Sequence, residues 1–259
     1  MPTKWFVILV LTMCATPCPA RQCSAAAKAD SPDYAASIAL RSSAGFVAAL
    51  EQANAQLASS PADCDAPGVR ALAYANGVDF MGMSGGEART AKFEALALAR
   101  RLAPARPWTR AAFGLIHMFD DPAAAADELN ACIRETPGFL ECYNLLGDLF
   151  RKSRRHAAAE RIYRTGLSRW PNDGELLVSH ALLLEAEGQP KKGIETLERL
   201  VAEQPAFPRG HWHLAVMIYD SGGDRNLVRM EAERALSLDP LIWHGREWMR
   251  ILDGTAVME

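Results

Sequence analysis

This chain has no Cys-x-x-Cys pair, no long apolar run and no excess of positive charge, and each absence removes a class of function. Without Cys-x-x-Cys, neither a dithiol redox centre nor the common zinc spacing is available. The leading apolar stretch, Trp5 to Ala15, is eleven residues long, whereas a helix needs about 20 to cross a bilayer. With 28 basic against 31 acidic residues the net charge is −3, which argues against an electrostatic footprint for nucleic acid. A Gly-rich phosphate loop and a His-Glu-x-x-His motif are also missing. The six histidines are scattered. His211 and His213 stand two apart, so they point to different faces of a helix and make a poor metal pair. His180 reads as a hydrogen-bonded interior histidine. No cofactor, metal site or catalytic residue is expected, and "MSGGEA" reads as a turn and helix start.

What is present begins with an address. Lys4, the run from Trp5 to Ala15 and the break at "TPCPA" read as an export signal over residues 1–20. A buried apolar N-terminus and a retained anchor are the alternatives. Lipoprotein attachment is disfavoured, because Cys14 follows Met13 and Cys18 follows Pro17. Removing Lys4 would leave a net charge of −4. Cys23, Cys64, Cys132 and Cys142 would then face an oxidising compartment, with room for up to two disulfides. The expected site is a bacterial periplasm.

The rest of the chain keeps time. Pro104, Pro137, Pro171, Pro205 and Pro240 are separated by 33, 34, 34 and 35 residues. Gly114, Gly147, Ala181 and Ala215 keep the same beat. A fixed period in this range marks stacked supersecondary units. Each period holds two helical stripes, the best being Tyr143, Leu146, Phe150 and then Ala159, Ile162, Tyr163, Leu167. A short polar link forces the two helices antiparallel. Where they cross, Gly147 and Ala159 are small so that the backbones can approach. Proline then closes the pair, since it lacks an N–H and disfavours helix in the residue before it.

These positions resemble the tetratricopeptide repeat family. Leu140 to Asp173 matches its pattern with Tyr143, Leu146-Gly147, Phe150, Ala159, Tyr163, Gly166 and Pro171. Gly174 to Phe207 and Pro208 to Leu241 match less fully, and Arg106 to Phe139 is one residue short. The resemblance implies an all-α fold, an α-α superhelix: a right-handed solenoid of antiparallel helix hairpins. The expected organisation is a signal over residues 1–20, a flexible leader over 21–45, and N-terminal helices with a degenerate repeat over 46–105. Four repeats over 106–241 and a capping helix and tail over 242–259 complete it. In the cap, Leu241, Trp248 and Leu252 share a face opposite Arg246 and Arg250.

The resemblance further implies a concave groove that takes a peptide or another protein's segment. Carried over by position, its side chains are Leu115, Met118, Asn144, Asp148, Arg151, Val178, Leu182, Glu185, Arg209, Trp212, Val216 and Tyr219. Trp212 and Tyr219 are either binding anchors or packing beneath the C-terminal helix against Trp243 or Trp248. The clamp some co-chaperones use for a C-terminal carboxylate is not reproduced, because Glu141 and Asp148 would repel that ligand. "RKSRR" (Arg151 to Arg155) reads as a solvated inter-helix turn. Cys132 and Cys142 flank the turn at Pro137 on neighbouring helices, and are either bridged or two buried thiols.

The function expected is therefore a non-catalytic scaffold that binds a protein or peptide partner during assembly of a cell-envelope complex, such as a pilus, secretion or cytochrome-type system. The alternative is an accessory enzyme or ligand-binding protein whose site lies in residues 21–105. Self-association through a solenoid end is a third reading.

Overall fold

The structure, a computed structural model, describes residues 34–38, 41–77, 85–242 and 245–253. The expected signal over residues 1–20, Cys23, Ser84, Trp243 and the tail beyond residue 253 lie outside them. Every element described is a helix: α1 Tyr34–Ile38, α2 Ser43–Ser59, α3 Ala66–Gly77, α4 Gly85–Leu102, α5 Pro107–Ile116, α6 Pro122–Glu135, α7 Leu140–Lys152, α8 His156–Arg169, α9 Gly174–Ala186, α10 Pro190–Glu203, α11 Pro208–Asp220, α12 Arg225–Leu238 and α13 Gly245–Leu252. Each packs chiefly against its sequence neighbours, and α7, α9 and α11 also pack side by side. The result is an all-α superhelix of successive hairpins.

Local chemistry explains the boundaries. Thr136, Trp170, Gln204 and Asp239 cap α6, α8, α10 and α12, each one residue before a proline. Each cap N–H still donates to the carbonyl four residues back, whereas the proline following it has no N–H to continue the ladder. Asp121 and Asp173 start α6 and α9 by accepting from the N–H groups of Ala124 and Leu176, which satisfies donors otherwise orphaned at a helix start.

Hairpin closure is steric. A Cβ at Gly147 would lie 2.2 Å from Cε1 of Tyr163, and one at Gly114 2.6 Å from Cγ of Leu129. Tyr163 is fully buried and its hydroxyl donates to Asp148 at 2.7 Å. The turns inside successive hairpins put Arg154, Gly188 and Gly222 in the left-handed region, with φ of 56°, 75° and 70°. These three residues are 34 apart, so one repeat position demands a conformation that glycine adopts freely and arginine does not.

Cys132 on α6 and Cys142 on α7 are joined by a disulfide with a Cα–Cα distance of 6.3 Å, which ties two hairpins across the Pro137 turn. Cys64 is also disulfide-bonded.

Two expectations need correction. The leader expected to run to residue 45 is folded in its described part: Tyr34 and Ile38 are buried, Tyr34 edge-on to Trp108 at 6.2 Å, and α2 already starts at Ser43. Tyr34 and Ile38 stand four apart on one face of α1, and that face packs on the core shared with the first repeats. The "RKSRR" run is likewise only half a turn. Arg151 and Lys152 complete the last turn of α7, and the link spans Ser153 to Arg155.

Candidate functional site

The first helices of the hairpins, α7, α9 and α11, line the concave side. Residues 34 apart on them therefore stand next to one another across the stack. Between them runs a channel of about 360 Å³, within the range of ordinary ligand sites. Asp148, Arg151 and Lys152 come from α7, Ser179 and Leu182 from α9, and Arg209, Trp212 and His213 from α11. Segments from both ends of the described stack border it. Arg41, Ser43 and Phe46 enter from the N-terminal side, with Asn76 of α3, and Asp239, Leu241 and Ile242 from the last repeat.

The closure is polar and specific. The backbone N–H of Ser43 donates to Oδ2 of Asp239 at 2.9 Å, and its hydroxyl to the same oxygen at 3.0 Å, across 196 positions of sequence. That carboxylate faces the N-terminus of α2, where the helix dipole favours negative charge. Arg41 reaches Glu141, with Nη1 2.9 Å from Oε1 and Nη2 bonded to Oε2. Both side chains are buried.

Inside, most charges are paired. Arg151 bonds Asp148 at 3.0 Å and Arg209 bonds Glu175 at 2.7 Å. Burial alone would raise Asp148, but the Arg151 guanidinium and the Tyr163 hydroxyl hold its carboxyl below the usual range. Burial lowers the Lys152 ammonium, with Arg151 and Arg209 adding to the shift; it lies 5.1 Å from the ring centroid of the exposed Phe119. His213 is pushed down to about 3, first by burial and then by Arg209 and Arg151, so at neutral pH it is an uncharged imidazole. Glu175 is raised by burial, which Arg209 and Arg41 offset only in part.

Of the expected groove residues, Asp148, Arg151, Leu182, Arg209 and Trp212 line the channel. The others are elsewhere. Leu115 and Met118 pack into the apolar core, Met118 buried and Leu115 half-buried. Asn144 is buried and accepts a hydrogen bond from Ser179 Oγ at 2.9 Å. Val178 is buried and Val216 half-buried. Glu185 is half-buried, and its carboxyl is raised by burial and by Asp220. Tyr219 packs on Trp248, as Trp212 also does, each with centroids 5.3 Å apart. The packing alternative thus accounts for Tyr219, whereas Trp212 packs on the cap and still faces the channel. Leu241, expected to share the cap's apolar face with Trp248 and Leu252, precedes α13, which begins at Gly245, and is exposed at the channel rim.

His180 bonds Glu160 at 2.8 Å. His211 turns to Glu231 at 2.6 Å while His213 faces the channel, so the two do diverge. Among the described residues no group of three His, Cys, Asp or Glu side chains is arranged to hold a metal, and no helix is long and apolar enough to cross a membrane. Gly82-Met83-Ser84-Gly85-Gly86 has the letters of a nucleophile elbow. That device needs a strand leading into a helix. Here Gly85 opens α4, and residues 78–84, Ser84 among them, lie outside the described residues.

Sequence reasoning missed Arg41, Ser43, Phe46, Asn76, Lys152, Ser179, His213, Asp239 and Ile242 as channel residues. One signal was available. Glu141, Glu175 and Arg209 are 34 apart, an acid–acid–base series that lacks one cation.

No family model and no curated protein matches the chain. Solved structures do. A monomeric IFIT1 mutant with Gppp-AAAA superposes with a TM-score of 0.64 at 15% identity, over 80% of this chain and 49% of that one. A human IFIT1 dimer with PPP-AAAA gives 0.58 at 16% identity, over the same shares. This chain therefore spans about half the length of the IFIT1 structures it matches. TTC0263, described as a thermophilic TPR protein of Thermus thermophilus, gives 0.56 at 16% identity, over 64% of this chain and 93% of that one.

Proposed function

Starting from its tetratricopeptide-repeat architecture, we propose that this protein is a non-catalytic scaffold that holds a segment of another protein in its concave channel. The observation that carries the reading is the channel itself, about 360 Å³ between α7, α9 and α11, with an aromatic wall at Trp212 and an apolar one at Leu182. A stack of packed hairpins presents that surface preformed, so binding costs little ordering entropy on the scaffold's side. Export to the periplasm, and service to an assembling envelope complex, belong to the same proposal. They are supported by the order of Lys4, the apolar run Trp5 to Ala15 and the break at Pro17.

A photo-crosslinking residue at position 182 tests the reading against one at Arg199, which is exposed on α10 away from the channel. In cells of the source organism, position 182 is expected to trap a discrete protein partner and position 199 is not. Equal trapping at both positions would remove the channel from the interaction. Fractionation of the same cells checks the address, with the shortened chain expected in the periplasmic fraction.

A further inference from the structure

The channel lies in the seam between two apolar cores. One gathers buried side chains of α1 to α8 with Leu176 and Leu183 of α9. The other gathers Leu177, Val178 and Ala181 of α9 with side chains of α10 to α13. The boundary runs through α9, and the two bodies meet again where the ends of the stack come together. There, among the described residues, the hydrogen bonds from α2 to the last repeat all end on one atom. Oδ2 of Asp239 accepts from the N–H of Ser43 at 2.9 Å and from its hydroxyl at 3.0 Å. Behind that contact the seam stays unfilled by side chains: Phe46 and Asn76 on one side, and Leu241 and Ile242 on the other, line the channel.

We propose that the Ser43–Asp239 contact is a strap that holds the superhelix shut around the channel, and that a partner's segment enters as the strap parts and the two bodies swing apart about α9. This rests on the reading of the channel as a protein-binding groove and names how that groove is opened.

Size is the first support. About 360 Å³ stands near the lower end of pockets for single small molecules. An extended segment adds roughly 3.3 Å of length with each residue, so the shut channel has room for a side chain rather than for the segment. Leverage is the second. Each hairpin packs chiefly on its neighbours, so the curvature of the stack is a sum of small rotations. A link across 196 positions fixes that sum at one point. The third is the kind of link. Ser43 and Asp239 are buried, yet what they join is a carboxylate to two donors, groups that water satisfies nearly as well. Elements held by few apolar contacts open first. Arg41, by contrast, forks onto Glu141 of α7, which lies on its own side of the seam and keeps the arm in place while the strap parts.

The test uses the full chain with spin labels on azido side chains at positions 51 and 233, where Glu51 of α2 and Glu233 of α12 are exposed; the native cysteines are left alone. Pulsed electron resonance reads the distance between the labels in the intact chain and in Asp239→Ala, and crosslinking at position 182 is read beside it. The intact chain is expected to give one narrow distribution. Asp239→Ala is expected to lengthen the distance by about 5 Å or more. It should also raise partner trapping at least about threefold, because a larger share of molecules is then competent to bind. Should Asp239→Ala lose its helical circular dichroism, Asp239→Asn replaces it, keeping the shape and one acceptor but losing the charge, with smaller effects in the same direction. An unchanged distance, or a longer one without more trapping, overturns the strap. Absence of trapping from every chain would instead sink the groove, while the distances still decide whether Asp239 holds the stack shut.

Discussion

The four hairpins from α5 to α12 and the N-terminal helices α1 to α4 are built from the same antiparallel pairs but held by different means. In the repeats one steric rule recurs, with a small residue at each crossing and a proline after each pair. The N-terminal helices share the apolar core of the first repeats through Phe46, Ala49, Val69, Leu72 and Leu96, and add single polar links to it. Arg106 forks onto Asp65, Asp63 accepts from the N–H groups of Asp65 and Ala66 at the start of α3, and Gln56 reaches Asp63 at 3.0 Å. Gly68 lets α3 meet α5 backbone to backbone, since a Cβ there would lie 2.7 Å from the Thr109 nitrogen. A periodic stack is thus extended here by helices outside the repeat code, through a shared apolar core and contacts particular to this junction.

The sharpest way to break that contrast is at a crossing. Gly147→Leu would drive a side chain into the Tyr163 ring, 2.2 Å from the Cβ position alone, and should cost about 3 kcal/mol or more in urea unfolding. Gly138→Ala, where nothing lies within 4 Å, should stay within about 0.5 kcal/mol. Similar losses at both sites would mean that the crossing rule is not what holds the repeats. Arg106→Ala removes the half-buried fork to Asp65. It should cost about 2 kcal/mol and raise hydrogen exchange in α3 while sparing α9 to α12. Uniform exchange along the chain would erase the distinction between the two regions.

A pH scan sharpens the comparison inside the repeats. His213 has a folded-state value near 3 against an ordinary 6.5. Below about 6.5 the unfolded chain therefore binds a proton that the folded chain refuses, and stability falls as pH drops from there toward 3. The slope from this group approaches about 1.4 kcal/mol per pH unit. His213→Gln should flatten it, and an unchanged slope would assign the loss to other groups. Asp148 acts lower in the scan. Its depressed folded value means that its contribution persists above the ordinary carboxylate range and is lost only as pH falls through that folded value. The smallest effect is a gain. Arg154→Gly relieves a left-handed arginine at the position glycine holds in the next two repeats, and should add up to about 1 kcal/mol in the same urea assay.

The hairpins were legible because their determinants are local and recurrent. Gly147, Ala159 and Pro171 act within one repeat, and the next repeat writes the same instruction again. The site was only partly legible for the opposite reason. Asp148, Leu182 and Arg209 could be placed by position, but Asn144 turned out to be spent on Ser179 and Tyr219 on Trp248, which no single repeat announces. The carboxylate of Glu141, expected to repel an anionic ligand, is neutralised by Arg41, a residue assigned to a free leader.

By itself, then, the sequence determined that helical hairpins form and stack, because capping, crossing and termination act over a few residues and a 34-residue period repeats them. Only the tertiary structure decided that Ser43 meets Asp239 and that Arg41 reaches Glu141 from beside the channel. Such contacts depend on the small rotation from each hairpin to the next, summed over the whole stack, and no local pattern of residues records that sum.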